Sequence, residues 1–562
     1  MKKFMKNKFF RIPFLFIITF AVLYFSCVAA MTELQCLDQE LAAKASVTIA
    51  FVLMFTQFKK KREYQDIENG SSRLGRKKDI KPYIDKDFRN NIILSQTESL
   101  SLNMRQTHRN CHVFVVGGSG SGKSRYYVKP NVMQMNASYV ITDPSAEHLR
   151  DEGKMLLDNN YKLKVYDTVS LKNSMHFNPF VYYTEVKDVR RFVNIFMANT
   201  SGDASNPQYH EDFWVKAERL WLMAHISYVQ ETCLEQEKNL PSVVTLLDNS
   251  EARDEDEDFK SAVDILFDEL GAKNPNSFAV KQYKKYKLAA GKTAKSILVS
   301  IGIRMADFDI PEIADLFSDD ELELDKMGDE KTALFIIVDD TDTTYNYFVA
   351  ILIDVLVNTL KSVAKASPQS HCKIPVRFML DEIANIGKFP SLQNWVAAMR
   401  KYWVSFEFLF QNVNQAKAIY KDHWATIEGN CDTTVFLGGK GEDTTKYVSN
   451  DLLGKATIDT VSYGSNGTGT SIGKSGYSSN EQKAGRNLLD ETEVARLDDD
   501  ECIVSIRGLP PFQSKKYKTE EHPNYKYLAD SNQANTYFFS REPEFAKEPI
   551  QYYTEINLQE EL

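Results

Sequence analysis

The chain has no Cys-x-x-Cys pair, no His-Glu-x-x-His spacing and no excess of positive charge. Its seven cysteines (Cys27, Cys36, Cys111, Cys233, Cys372, Cys431 and Cys502) are odd in number and scattered. That argues against a disulfide framework or a zinc ribbon and fits a reducing compartment. Nine histidines without ligand spacing leave metal binding by His clusters unsupported. Lys plus Arg number 68 against 77 Asp plus Glu, a net charge of −9. This excludes a protein that coats nucleic acid by bulk charge, while a local basic patch stays open. Apolar residues are not scarce: 43% hydrophobic and 26% charged is globular usage and excludes a largely disordered chain. At 562 residues two or three folded units are expected.

Charge is missing altogether from Ile12 to Met31, 20 residues, enough to cross roughly 30 Å of hydrocarbon as a helix. A second apolar stretch, Ala45 to Phe58, spans only if extended back through Leu41, which places Lys44 near an interface. Lys2, Lys3, Lys6, Lys8 and Arg11 precede the first segment, and Lys59, Lys60, Lys61 and Arg62 follow the second. The connecting loop carries acids only. The positive-inside rule then expects a helical hairpin with both ends in the cytoplasm and a short loop outside. A cleaved signal peptide is the rival, since Val28-Ala29-Ala30 resembles a cleavage site, but it would export the nucleotide motif that follows.

Cys111 to Val116 is an apolar run of strand type, and it leads directly into Gly117-Gly118-Ser119-Gly120-Ser121-Gly122-Lys123-Ser124. This matches the phosphate-loop pattern in full, strand before and helix-compatible segment after. Glycines let backbone N–H groups converge on phosphates, and the helix N-terminus adds positive potential. Lys123 can reach the β- and γ-phosphates, and the Ser124 hydroxyl can ligate Mg²⁺. The alternative is a chance Gly/Ser-rich turn. A second strand, Val376 to Leu380, ends in Asp381-Glu382; the first acid suits the Mg²⁺ shell and the second suits polarising water. A third, Trp403 to Phe410, ends in Gln411, which suits a γ-phosphate sensor or is simply a solvated strand end. Gly467 to Ser475 imitates a second phosphate loop, but its spacing is one residue too long. The Ser/Gly-rich stretch Ser462–Ser479 is expected to be a loop between core elements.

Between Lys123 and Asp381 strand alternation disappears from about Thr184 to Met305. Helices are expected at Val186–Met197, Asp212–Leu234, Phe259–Leu270 and Phe278–Asp307, an all-α domain emerging from an α/β core. Acids gather at Glu251–Asp258 and vanish from Gly271–Met305, which holds Lys273, Lys281, Lys284, Lys285, Lys287, Lys292, Lys295 and Arg304 with Tyr283 and Tyr286 among them. Lysines with interleaved aromatics suit backbone contacts to nucleic acid; a solvated helix face fits the same pattern.

With these residues in place, the chain resembles the type IV secretion coupling proteins, the TraG-type ATPases of conjugation, particularly those of Gram-positive mobile elements. The likeness rests on the phosphate loop, Val140 to Glu147, Ser174 to Phe180, Asp212 to Glu218, and Phe378 to Gly387. It continues through Gly429 to Asp432, Phe436 to Gly438 and Arg507 to Phe512. It implies a RecA-type P-loop NTPase core using ATP and Mg²⁺, a helical cap and a homo-hexamer around a channel. It also implies a membrane-anchored role: taking a relaxase–single-stranded DNA complex and passing it to the secretion channel. By the resemblance, Lys123 and Ser124 bind nucleotide and Mg²⁺, Asp381 ligates the metal, Glu382 activates water and Gln411 senses phosphate. Arg400 falls where some members place an arginine that reaches a neighbour's γ-phosphate, though a helix-surface arginine beside Lys401 reads equally simply. The family commonly reads Asp-Pro-Lys-Gly-Glu where this chain has Asp143-Pro-Ser-Ala-Glu147.

The expected organisation is a membrane anchor over 1–62, a nucleotide-binding domain in two parts over 63–183 and 311–530, an inserted all-α domain over 184–310 and an acidic tail over 531–562. Two other functions are weighed: a septal-type chromosomal DNA translocase, and a cargo-docking receptor with little ATPase activity. The intact Lys123, Asp381 and Glu382 speak against the receptor.

Overall fold

The computed structural model describes residues 67–200, 213–253, 259–289, 291–339, 341–465 and 477–541. The expected membrane segments, the end of the acidic run at Glu251–Asp258 and the tail after Arg541 lie outside the described residues. The chain divides into two compact units. One gathers the residues up to Ser71 with Lys455–Arg486, and the other holds Ser72–Gly454 and Asn487 onward.

The larger unit contains strands β1 (Asn91–Ile93), β2 (Ser99–Ser101), β3 (Val113–Val116), β4 (Ser138–Pro144), β5 (Lys162–Asp167), β6 (Thr332–Val338), β7 (Val376–Leu380), β8 (Val404–Phe410) and β9 (Thr433–Phe436). In the smaller unit, β10 (Lys455–Ser465) and β11 (Tyr477–Asn487) form a two-stranded sheet. Strands β12 (Glu501–Ile506) and β13 (Phe512–Lys515) return to the larger unit. There nine strands share one sheet in the order β13-β12-β9-β3-β8-β7-β4-β6-β5. The pairings from β9 to β5 are all parallel, while β12 and β13 add an antiparallel edge.

A parallel sheet must be covered on both faces, and strand alternation shows how. Phe114 and Val116 enter one core cluster with Phe378, Leu380, Phe406, Phe408 and Phe410. Val113 and Val115 turn to the other face with Met379, Leu409 and Val435. Each such side chain contributes about 1.5–3 kcal/mol by burial. Arg377 and Glu407 sit on β7 and β8 at zero exposure, paired at 2.6 Å. Tyr127 Oη donates to Glu407 at 2.8 Å and Arg377 donates to Asn131 Oδ1 at 2.9 Å. Removing either ion of such a pair costs about 3–5 kcal/mol, because the other is left buried and unpaired.

Helix α1 (Glu147–Asp158) follows β4. Between β5 and β6 the chain is helical: α2 (Val186–Thr200), α3 (Phe213–Thr232), α4 (Leu240–Asp248), α5 (Ala262–Lys273), α6 (Phe278–Tyr286), α7 (Lys292–Met305) and α8 (Pro311–Leu316). Two details depart from expectation. Helix α4 was not foreseen; Asn239 caps it, accepting from the Ser242 N–H at 3.0 Å, with Pro241 in its first turn. The helix expected over Phe278–Asp307 is two, interrupted by Gly291 at φ +54°, a conformation that favours glycine. These helices share one core cluster with the sheet face beneath them.

Helix α9 (Asn346–Ala366) is the one helix among the described residues long and apolar enough to cross a membrane, and most of it is buried in the protein. It carries Asp354 into the interior. Burial pushes that carboxyl up to about 7, with Arg191 pulling it back. Its side chain accepts from Asn358 Nδ2 at 3.2 Å. In the smaller unit the strands cover part of the stretch expected to be a loop: β10 extends through Ser465 and β11 starts at Tyr477. Thr457, Thr460 and Val461 supply β-branched residues that favour extension. Residues 466–476, with the whole of the phosphate-loop imitation, lie outside the described residues.

Candidate functional site

Parallel strands gather chemistry at their C-terminal ends, and three adjacent ones do so here. β3 delivers the phosphate loop, β8 ends at Gln411, and β7 ends at Asp381. The loop is tied to its neighbours through its backbone: Gly117 N–H donates to Phe410 O at 3.0 Å and Gly118 N–H to Gly438 O at 2.9 Å. Gly122 has φ +82°, and a Cβ there would meet the Tyr126 ring at 2.3 Å, so glycine is required for both torsion and space. Lys123 Nζ donates to Gly117 O at 3.3 Å, which curls the lysine over its own loop.

Ser124 Oγ donates to Asp381 Oδ2 at 3.3 Å, so the two expected metal-side residues stand together. Both are oxygen donors, a set that suits Mg²⁺ with other positions left to water and phosphate. Burial pushes the Asp381 carboxyl up, while Lys123 and His148 pull it down. Glu382 sits at φ +50°. Its carboxylate accepts from Gln411 Nε2 at 2.9 Å and from Asn385 Nδ2 at 3.3 Å. The expected water-activating acid and sensing glutamine are therefore in direct contact. Asn385 belongs to the same loop, which helices hold from two sides: Asn346 Nδ2 donates to Asn385 O at 2.8 Å, and Asn199 exchanges hydrogen bonds of 2.7 and 2.9 Å with Lys388. At Gly387, φ +98°, a Cβ would meet Asn199 Oδ1 at 2.8 Å and Ala350 Cβ at 2.9 Å.

Arg400 is not brought to this place. It is exposed on the short Met399–Tyr402 turn before β8, at the opposite end of the strand from Gln411. Burial disfavours charge on His112, just before β3, and Arg400 adds to that effect.

Sequence reasoning passed over a buried cluster beside Asp381. Asp143, at the end of β4, accepts from the N–H groups of His148 (3.0 Å) and Leu149 (2.8 Å). Thr142 Oγ1 donates to the Asp381 carbonyl at 2.7 Å. His148 Nδ1 lies 3.3 Å from Glu152 Oε2. Burial works against a charge on His148, but Glu152, Asp143 and Asp381 outweigh it and raise the imidazole to about 9. The sequence signal was the i, i+4 pair of His148 and Glu152 directly after the Asp143–Glu147 stretch. In that stretch Ala146 holds φ +56°, a left-handed conformation that costs a non-glycine residue about 1–2 kcal/mol.

Tyr283 and Tyr286 correct an expectation. Both are buried. Tyr283 stacks on Phe267 with centroids 3.9 Å apart and donates to Asp264 Oδ1 at 2.8 Å. Spaced three apart on a helix, they share the core-facing side, so neither ring is available to a base. Lys273, Lys284, Lys285, Lys292 and Lys295 are exposed, with no carboxylate in ion-pair range among the described residues. Lys287 pairs with Asp264 at 2.9 Å and Arg304 with Glu218 at 2.7 Å.

The family model for "Type IV secretory system Conjugative DNA transfer" matches residues 61–537. The conjugal transfer protein TraG of Rhizobium radiobacter is 22% identical over 422 residues, which span 72% of this chain and 61% of that relative. Protein VirD4 of Agrobacterium fabrum is 25% identical over 193 residues, 34% of this chain and 27% of the relative. The match thus spans about three-fifths of the first of these relatives and less of the second. Among solved structures, the unbound bacterial conjugative coupling protein TrwBdeltaN70 aligns with a TM-score of 0.56 at 17% identity, covering 84% of this chain and 94% of the other. The plasmid coupling protein TrwB in complex with ADP and Mg²⁺ aligns at 0.54 and 17%, covering 80% and 93%. These likenesses give the fold, and the family match covers most of the chain: it belongs to the type IV secretory system conjugative DNA transfer family.

Proposed function

We propose that this chain is a membrane-anchored P-loop ATPase that couples a relaxase–single-stranded DNA complex to a type IV secretion channel and drives DNA transfer in conjugation. The observation that carries this reading is the meeting of Lys123, Ser124, Asp381, Glu382 and Gln411 at the ends of three neighbouring strands. A protein of the same fold was solved with ADP and Mg²⁺, which supports the same ligands here. In this reading the N–H groups of Gly117–Ser124 and the Lys123 ammonium bind the phosphates, and Ser124 and Asp381 hold the metal. Mg²⁺, when bound, neutralises charge on the phosphate oxygens. Glu382, oriented by Gln411 and Asn385, accepts the proton of the attacking water. Gln411 bridges phosphate and base. Arg400, remote from its own loop, would serve a neighbouring protomer of a homo-hexamer. The anchor is the hairpin of residues 12–31 and 41–58, and the helices from α2 to α8 form the domain inserted over 184–310 between the two parts of a RecA-type core, 63–183 and 311–530.

Lys123→Ala in the full chain should abolish ATP hydrolysis and DNA transfer while membrane insertion persists. Hydrolysis measured with and without single-stranded DNA, alongside mating frequency, checks this. Normal transfer by the variant would replace the motor with a docking receptor.

A further inference from the structure

The helix that leaves the phosphate loop begins irregularly. Ser124–Val128 forms a π turn, in which the Lys129 N–H bonds back to Ser124 O. Pro130 supplies the cause: its ring crowds the carbonyl four residues earlier and it has no N–H. The Arg125 carbonyl is thereby stranded. Its α-helical partner, Lys129 N–H, is taken, and its π partner is a proline. Such a carbonyl has to find a donor elsewhere.

The donor comes from the far end of the chain. After β13 the backbone passes over this turn, and Thr519 Oγ1 donates to Arg125 O. Three residues earlier Lys516 Nζ donates to Ser121 O, inside the phosphate loop, at 2.9 Å. Lys516 is buried, its ammonium lies 5.4 Å from the centre of the Tyr126 ring, and no carboxylate pairs with it among the described residues. Glu520 pairs with Arg125. Further along, Asp530 reaches the buried Lys129 at 2.9 Å, which Asp151 also holds at 2.6 Å. A strap from Lys516 to Asp530 thus fastens the loop and its helix at four points.

We propose that Lys516 and Thr519 are positioning residues of the nucleotide site, holding the phosphate loop and its π turn in the shape that receives phosphates. This rests on the nucleotide reading above and assigns part of nucleotide affinity to the C-terminal strap. Because the contacts are to loop carbonyls and not to ligand, losing them loosens the N–H cradle and leaves Glu382 untouched.

The test uses the full chain in detergent, with Mg-ADP titrated by calorimetry and ATP turnover measured across substrate concentrations. Lys516→Met should weaken Mg-ADP binding and raise KM for ATP by about tenfold, the loss of one charge-assisted hydrogen bond. Saturated turnover should stay within about twofold. Lys516→Arg should recover most of the affinity, and Thr519→Val, which changes no charge, should show a smaller loss of the same kind. Unchanged affinity in Lys516→Met and Thr519→Val, with wild type binding normally, overturns the proposal. So does a fall in turnover at constant KM, which would mark a merely structural role. Failure of wild type itself to bind Mg-ADP sinks the nucleotide reading, and this inference with it.

Discussion

The strand ends around the phosphate loop and the helices from α2 to α8 distribute charge differently. At the strand ends Asp143, His148, Glu152 and Asp381 are all buried, and each meets a polar partner. In the helices the lysines of α6 and α7 stay outside, and the interior is made of rings such as Tyr283, Phe267 and Trp221. Burying a charge is costly unless it is paired, so the first region holds its groups at fixed separations, as chemistry requires. The second pairs the charges it buries, Arg304 with Glu218 and Lys287 with Asp264, and keeps Lys284, Lys285, Lys292 and Lys295 at its surface. The two regions touch at the loop after β7, where Asn199 of α2 exchanges hydrogen bonds with Lys388.

The contrast can be broken most forcefully at Glu382. Glu382→Gln should lower ATP turnover by about a hundredfold or more while leaving Mg-ADP affinity near wild type; equal loss of both would mean that the residue holds ligand. Asp354 tests whether buried charge without a site is a burden. Its folded pKa of about 7 exceeds the unfolded value near 3.9, so the folded state binds the extra proton. Its own contribution to stability is therefore least unfavourable below pH ~4, worsens as pH rises towards 7 and then levels, a change on the order of 4 kcal/mol. Asp354→Asn should flatten that slope and raise Tm at neutral pH, and an unchanged pH profile would place the titration elsewhere.

Two smaller effects separate core from surface in the helical region. Tyr283→Phe should cost about 1 kcal/mol in denaturant unfolding and leave the salt dependence of single-stranded DNA binding as it was. Lys284→Glu with Lys285→Glu should do the reverse: stability within about 0.5 kcal/mol and a flatter salt slope. Should the lysine pair leave that slope unaltered, the exposed face is solvated only. A salt slope that moves with Tyr283→Phe would undo the assignment of that ring to the core.

The phosphate loop, Asp381, Glu382 and Gln411 were legible because an apolar strand followed by a defined residue type is a local pattern. Backbone geometry demands that pattern wherever strands deliver a site. The pairing of Gln411 with Glu382 followed once β8 lay between β3 and β7. The tyrosines of α6 misled because interleaving was counted along the chain, whereas burial follows angle around the helix; Tyr283 and Tyr286 share a face that the lysines avoid. The break at Gly291 is one residue's torsion inside an otherwise helical pattern. Lys516 and Thr519 gave no local sign at all, since their partners Ser121 and Arg125 lie 395 and 394 residues away.

That last separation carries a consequence for how the protein is made. A ribosome adding roughly 5–20 residues per second takes on the order of 20–80 s to travel from Ser121 to Lys516. Through that interval the nascent chain contains the phosphate-loop residues but not the strap that steadies its carbonyls. The loop is among the first parts of the site to emerge and its support is among the last. On the proposal above, nucleotide grip would mature near the end of synthesis, and a chain ending just before residue 516 would carry Lys123, Asp381, Glu382 and Gln411 without that support.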